Sequence, residues 1–331
     1  MIIRGFLLKH LRKYGKLRID SEKCIFLIQK CNTILKKKAY CLEFQMKIVV
    51  LGNTGMLGHV VQYVLNSRGT STYMSVQGVG RESLDVFPRS LNQLGTKLSY
   101  LFGFETDYII NCIGSIKPVF DNPLRVSDAI YTNAVFPRQL ATWGELTNTK
   151  IIHITTDCVY DGWIGEYDEA ALFSANEPYG MSKALGEPDN CMVLRTSIIG
   201  PEKGGRSRNF MSWLKSQDGQ KIKGFTNHLW NGVTTLELAR IIFDIIFEDL
   251  YEASLFHIFS DDMTKYEMVT EIIKQYDFSI EVEEYEHPGG KVNRTLRTDM
   301  GLNDLVIPQD FTGMIEELVE YEERMSKQYS L

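Results

Sequence analysis

The sequence predicts an α/β fold: a doubly wound parallel sheet with a smaller C-terminal lobe. Three observations carry this. Residues 47–51 (Lys-Ile-Val-Val-Leu) form a short apolar run, followed at once by Gly52-Asn-Thr-Gly55-Met-Leu-Gly58 and a helical pattern. Residues 108–114 and 151–156 are further apolar runs separated by helical patterns. Short, uninterrupted apolar strands between helices are what a parallel sheet covered on both faces requires. The 331 residues, 44% of them apolar, suffice for one large α/β unit or two closely joined ones.

Charge divides the chain. Residues 1–45 carry 11 Lys+Arg and 3 Asp+Glu, a net +8, whereas residues 46–331 carry 25 and 39, a net −14. An acidic body argues against nucleic acid as a partner. No run reaches the roughly 18 apolar residues of a membrane helix, so no membrane partner is expected. The six cysteines form no CxxC pair, so neither a zinc site nor a disulfide framework is indicated and a cytoplasmic location is expected. Residues 1–45 read as a basic N-terminal extension. They match neither a transit peptide nor a secretory signal, and the fold is expected to dispense with them.

In chain order, the GxxGxxG turn comes first. Gly52 permits the strand-to-helix turn, Gly55 lets the backbone approach a pyrophosphate, and Gly58 lets the helix pack on the strand. Free N–H groups of Asn53, Thr54, Met56 and Leu57 then face phosphates at the positive end of a helix over residues 56–68. This is the Rossmann-type dinucleotide turn. The second strand, residues 73–79, ends without the acid that would hold a ribose 2′-hydroxyl, and Arg81 follows. A guanidinium there pairs with a 2′-phosphate, which favours NADPH over NADH. Asp85 is a candidate acceptor for the adenine amino group. A helix over 91–102 precedes the strand 108–114, whose small residues Cys112 and Gly114 leave room for a nicotinamide ribose.

Residues 151–156 form a strand ending in Thr156, followed by Asp-Cys-Val-Tyr-Asp-Gly162. Tyr179 and Lys183 stand at i and i+4 of a helix and share a face. Carbonyl reduction needs hydride on carbon and a proton on oxygen. A free tyrosine, with a pKa of about 10, is a poor proton donor–acceptor near neutrality. A nearby ammonium stabilises the phenolate, and the Thr156 hydroxyl can orient the carbonyl oxygen. Sixteen tyrosines make a Tyr-x3-Lys pair unremarkable by itself, but the chain has one such pair, and it follows the strand-end threonine.

With Arg195-Thr-Ser, these motifs resemble the extended short-chain dehydrogenases/reductases, and within them the dTDP-4-dehydrorhamnose reductase (RmlD-like) branch. The resemblance spans residues 46 to about 260. It implies Thr156, Tyr179 and Lys183 as a catalytic trio, with Asn133 supporting the lysine through a helix kink and a water. It also implies a nucleotide-sugar substrate contacted by Asp157, Cys158, Arg195 and Ile198, and reduction of a 4-keto-6-deoxy sugar in deoxysugar or polysaccharide biosynthesis. Cys158 stands where that branch has an aromatic residue, and Ile198 where it has a tryptophan, so the identity of the sugar is left open. The same resemblance admits two other roles. One is an epimerase or dehydratase, which Cys158 disfavours because it occupies the place of a second acid. The other is a non-catalytic, NADP-binding regulatory subunit like that of methionine adenosyltransferase.

The C-terminal part contributes helices over 209–217, 234–247 and 264–276. Asn227 and Trp230, in a polar and aromatic loop, are candidates for base stacking and hydroxyl recognition. Residues 255–260, 264–276 and 280–285 read as a β-α-β-like lobe. The expected division is a Rossmann domain over 46–200 with 233–255 returning to it, and a sugar-nucleotide lobe over 201–232 and 256–331. Lys291, Arg294 and Arg297 are cations near the end of that lobe, one of them a candidate for a substrate diphosphate. A homodimer is compatible with the sequence, which does not set the oligomeric state.

Overall fold

A computed structural model describes residues 45–69, 74–80, 83–84, 91–102, 105–203, 209–306 and 308–329. Arg81, Asp85 and nearly all of the basic extension lie outside the described residues. Strands β1 (Met46–Leu51), β2 (Met74–Val79), β3 (Tyr108–Asn111), β4 (Lys150–Thr156), β5 (Met192–Thr196) and β6 (Leu255–His257) form one sheet in the order β6-β5-β4-β3-β1-β2. Every neighbouring pair is parallel.

Alternate residues of each strand enter two cores. Ile48, Val50, Ile110, Ile152 and Leu194 face α1 (Gly58–Arg68) and α5 (Thr235–Phe247). Val49, Leu51, Ile109, Ile151 and Val193 face α2 (Leu91–Phe102) and α3 (Phe136–Thr147). Both faces are dry, so the strands read as continuous apolar runs rather than alternating ones. Helix α5 buries Leu238, Ile241, Ile242, Ile245 and Ile246 almost completely, each contributing about 1.5–3 kcal/mol.

Strand order reverses between β1 and β3, where open α/β sheets place ligands beyond the carboxyl ends of their strands. The glycine turn follows β1, Gly114 follows β3, and Thr156 ends β4, so the sequence motifs converge at that edge.

The predicted C-terminal lobe is differently assembled. The strand read at residues 255–260 joins the main sheet as β6, parallel to β5. Its short apolar pattern is right for a buried strand but does not specify a partner. Within the lobe, Glu281–Tyr285 instead pairs in parallel with Lys221–Phe225, beside α6 (Lys265–Tyr276). The last helix, α7 (Phe311–Tyr329), packs back on the sheet side of the molecule. Tyr321 meets Tyr63 of α1 edge-on at 5.0 Å, and Glu317 pairs with Arg240 of α5. Among the described residues, no helix is long and apolar enough to cross a membrane.

Candidate active site

The glycine turn has the geometry its spacing implies. Gly52 has φ +79°. A Cβ on Gly58 would lie 2.2 Å from the Gly52 carbonyl oxygen, so any side chain there would push helix and strand apart. Helix α1 starts at Gly58, two residues later than the sequence suggested, and its N-cap Leu57 supplies no capping side chain. The N–H groups of His59, Val60 and Val61 bond back to Gly55 O and Leu57 O, so it is the glycine turn ahead of them that faces an anion. Asn53 donates through Nδ2 to Gln62 at 3.1 Å, while its buried Oδ1 has no partner. That acceptor lies beside Gly80 at the end of β2.

The loop after β3 is clamped by Asn133. Tyr131–Val135 forms a single π-helical turn ahead of α3. It widens the backbone and delivers the buried Asn133 side chain into the interior. Its Oδ1 accepts from Ser115 N at 2.8 Å, and its Nδ2 donates to Ser115 O at 3.0 Å and to Ser182 Oγ at 3.1 Å. One amide thus ties the loop after β3 to the helix that carries Lys183. Gly114 borders both Asn133 Oδ1 and Lys183 Nζ. Cys112, whose thiol burial pushes up to about 12, is a packing residue of that loop.

Helix α4 (Pro178–Leu185) carries Tyr179 and Lys183. Glu177 caps it, accepting from the N–H groups of Tyr179 at 3.2 Å and Gly180 at 2.8 Å. Glu-Pro before a helix was a readable signal for this cap. Gly180 lets the helix dock closely: a Cβ there would lie 2.1 Å from the Cys158 carbonyl oxygen. Lys183 is buried, and Nζ donates to Ile154 O at 3.0 Å. Burial lowers its pKa to about 8, with Glu187 pulling the other way. Burial raises Tyr179 above its ordinary value, the neighbouring Cys158 adds to the rise, and a hydrogen bond with Thr156 opposes it. Tyr179 is consequently protonated at neutral pH, the form an acid needs. The Lys183 side chain is turned to the β4 backbone through its bond to Ile154 O.

Thr156 Oγ1 donates to Asp157 Oδ1 at 3.0 Å and accepts from Cys158 N at 3.2 Å. Asp157 is buried, which raises its pKa, while Arg294 and Lys265 act to lower it. Cys158 is held as a thiol, burial pushing it up to about 12. Ile198 is half-buried and pairs with Val233. Trp230 is buried, its Nε1 donating to Ser197 Oγ at 2.8 Å.

Two predicted substrate residues are engaged elsewhere. Arg195 is 1% exposed. It grips Glu187 through Nε and Nη2, and its Nη1 meets the Tyr160 hydroxyl and His257 Nε2. It is an internal strut, because a guanidinium on a buried strand must find its partners inside the protein. Asn227 spends its amide on the turn that follows the 281–285 strand, donating to His287 O and Gly290 O and accepting from His287 N. Lys265 of α6 escaped the sequence reading although its charge is felt by Asp157. Only the fold brings it across more than a hundred residues. Among the described residues, no cluster of three or more His, Cys, Asp or Glu side chains is placed to hold a metal.

A family model described as the RmlD substrate binding domain matches residues 46–298. The chain belongs to this family. A curated relative, dTDP-4-dehydrorhamnose reductase from Aggregatibacter actinomycetemcomitans, is 27% identical over 158 residues, 46% of this chain and 51% of the relative. The chain therefore spans about half the length of the curated relative it matches. Among solved structures, a dTDP-4-dehydrorhamnose reductase from Clostridium acetobutylicum has a TM-score of 0.68 at 21% identity, covering 84% of this chain and all of that one. A Bacillus anthracis dTDP-4-dehydrorhamnose reductase in complex with NADP has the same TM-score at 19% identity and the same coverage. At these identities the likeness speaks for the fold, and membership of the RmlD family rests on the family match.

Proposed function

We propose that this RmlD-family chain is an NADPH-dependent oxidoreductase that reduces the keto group of a nucleotide-activated 4-keto-6-deoxy sugar, with Thr156, Tyr179 and Lys183 as its catalytic residues. The observation that carries the reading is the meeting of Thr156 and Tyr179, with Lys183 one turn along the same helix, at the sheet edge where the glycine turn and Gly114 also lie.

The residues fit a nicotinamide dinucleotide. The glycine turn ahead of α1 suits its pyrophosphate, the unpartnered Asn53 Oδ1 suits a ribose hydroxyl, and Lys183 beside Gly114 suits the second ribose. When bound, NADPH supplies hydride to the carbonyl carbon. Tyr179 holds a proton for the developing alkoxide, and its raised pKa keeps that proton in place until the oxygen becomes basic. Thr156 can turn its hydroxyl from Asp157 to the substrate oxygen and fix its direction. The buried, partly desolvated Lys183 stabilises the phenolate left after proton transfer. Asn133 keeps α4 and the Ser115 loop in register, so Lys183 holds its position.

The test is NADPH oxidation across dTDP-, UDP- and GDP-4-keto-6-deoxy sugars. The reading expects turnover with at least one of them. NADPH binding without turnover of any would instead favour the non-catalytic regulatory role.

A further inference from the structure

We propose that His153 is a positioning residue for the nicotinamide half of the cofactor: it orients the Asn111 amide, and Asn111 in turn sets the loop over residues 112–115 against which that half lies. The proposal rests on the oxidoreductase reading for the cofactor, while its geometry is that of the protein alone.

Asn111 ends β3 and lies opposite His153 of β4 in the parallel register. Neighbours in such a pair share a face of the sheet. Here it is the face covered by α2 and α3, where Ile109 and Ile151, two residues earlier on each strand, enter the core. Asn111 and His153 are both buried. Strands covered on both faces favour Val and Ile, so two polar side chains side by side at this depth must satisfy each other.

Their hydrogen bonds fix the protons. Ile113 N bonds to Asn111 Oδ1 at 3.1 Å, and a backbone amide can only donate. The amide oxygen is thereby committed to the loop, which leaves Asn111 Nδ2 to donate to His153 Nδ1 at 3.0 Å. Nδ1 must then accept, so the proton of the neutral ring resides on Nε2. Burial and the Lys183 charge hold His153 well below the ordinary histidine range, so the ring stays neutral and Nδ1 stays an acceptor. Nε2 is buried with no partner among the described residues. A buried donor without an acceptor weakens the fold, so Nδ1 is the working atom of this ring.

The loop so held lies between the glycine turn and the catalytic lysine. Cys112 N donates to Leu51 O at 3.1 Å, which ties the start of the loop to β1. Asn133 holds the far end through both backbone groups of Ser115. Between these anchors the Asn111 side chain grips the chain at Ile113 N. Gly114 follows, and a Cβ there would stand 3.8 Å from Lys183 Nζ. Lys183 itself bonds to Ile154 O, on the residue after His153. Without the Nδ1 acceptor the Asn111 amide is free to turn over, and Ile113 and Gly114 lose their fixed height against the second ribose. The adenosine half is spared, because β1 holds the start of the loop independently of His153.

The experiment is titration of NADPH, followed by its nicotinamide fluorescence, beside calorimetry of ADP. ADP carries the adenosine and the pyrophosphate but neither the second ribose nor the nicotinamide. His153→Leu and Asn111→Ala are each expected to weaken NADPH about 3–10-fold, the factor of one net hydrogen bond, and to leave ADP affinity unchanged. The double variant is expected to lose no more than the larger single loss, since the two side chains act in series. His153→Asn puts an amide oxygen in the place of Nδ1 and is expected to restore most of the NADPH affinity. His153→Gln, whose amide reaches the Nε2 position instead, is expected not to. Equal weakening of NADPH and ADP would make His153 a general support of the fold and overturn the proposal. So would additive losses, or an asparagine variant no better than leucine. If wild type and His153→Leu bind NADPH equally well, the proposal falls and the oxidoreductase reading stands. A wild type that binds neither NADPH nor NADH overturns that reading and the proposal together.

Discussion

Replacing Arg195 with methionine removes one buried charge and strands another. The Arg195 side chain is 1% exposed and that of Glu187 6%, and the guanidinium grips both carboxylate oxygens. Without it, Glu187 is left inside the protein without its ion-pair partner, while the Tyr160 hydroxyl and His257 Nε2 each lose a partner. Breaking a buried pair from one side costs about 3–5 kcal/mol. Removing both charges, in Arg195→Met with Glu187→Met, should recover part of that cost, because the buried carboxylate is then gone too. Urea unfolding followed by circular dichroism reads both values from the midpoint and slope. A second readout ties the pair to the site. The Glu187 charge helps keep Lys183 protonated, so Glu187→Gln should move the alkaline loss of NADPH binding to lower pH. An Arg195→Met loss below about 1 kcal/mol would refute the strut. So would a double mutant that loses the sum of the singles.

Tyr179→Phe keeps the ring and deletes the acid, and should lower kcat by about 10²–10⁴ with NADPH affinity nearly unchanged; wild-type turnover would end the acid assignment. Lys183 has a folded pKa near 8 against 10.5 unperturbed. NADPH affinity and kcat/KM should therefore fall as pH rises through about 8, and Lys183→Met should lack that limb. In the same window the unfolded chain binds more protons, so this group makes the fold more stable as pH rises from 8 to 10.5, by about 3 kcal/mol; a chemical-denaturation series compared with Lys183→Met checks the slope. Arg81→Ala is predicted from the sequence to weaken NADPH by about 1.5–3 kcal/mol and NADH little, and equal weakening of both would exclude a 2′-phosphate contact.

The parts of the site legible in the sequence were those written in local spacing. GxxGxxG after an apolar run specifies a turn within a few residues, and Tyr179 with Lys183 specifies one helix face, so both needed only backbone geometry. Asn133 was legible through resemblance, and its cause became visible as the π turn that carries it. Arg195 was misplaced by the same resemblance. A physical cue was present: a guanidinium in the apolar strand Met192–Thr196 must be neutralised internally, and Glu187 lies eight residues earlier. Strand β6 was recognised as a strand but assigned to the wrong sheet, since periodicity describes faces and not neighbours. Arg294 was visible only as one of three lobe cations, and Lys265 carried no local signal, because the acid whose charge they meet, Asp157, lies over a hundred residues away.

These groups share one physical condition. Lys183 and Lys265 are held well below the ordinary lysine range by burial, and Asp157 above the ordinary carboxylate range. Each weakens the unliganded fold, since a desolvated charge costs more than the contacts around it return. The large apolar cores on both faces of the sheet supply the stability that offsets them. Ligands with phosphate and ribose oxygens would relieve the strain by giving each ammonium an acceptor. The same substitution can therefore stabilise the protein and disable it, and Lys183→Met should show both effects: a melting temperature no lower than wild type without ligand, and a smaller upward shift when NADPH is added. A lower melting temperature in the unliganded variant would mean that Lys183 is a structural residue whose charge the fold needs, and the argument from unrelieved burial would fail with it.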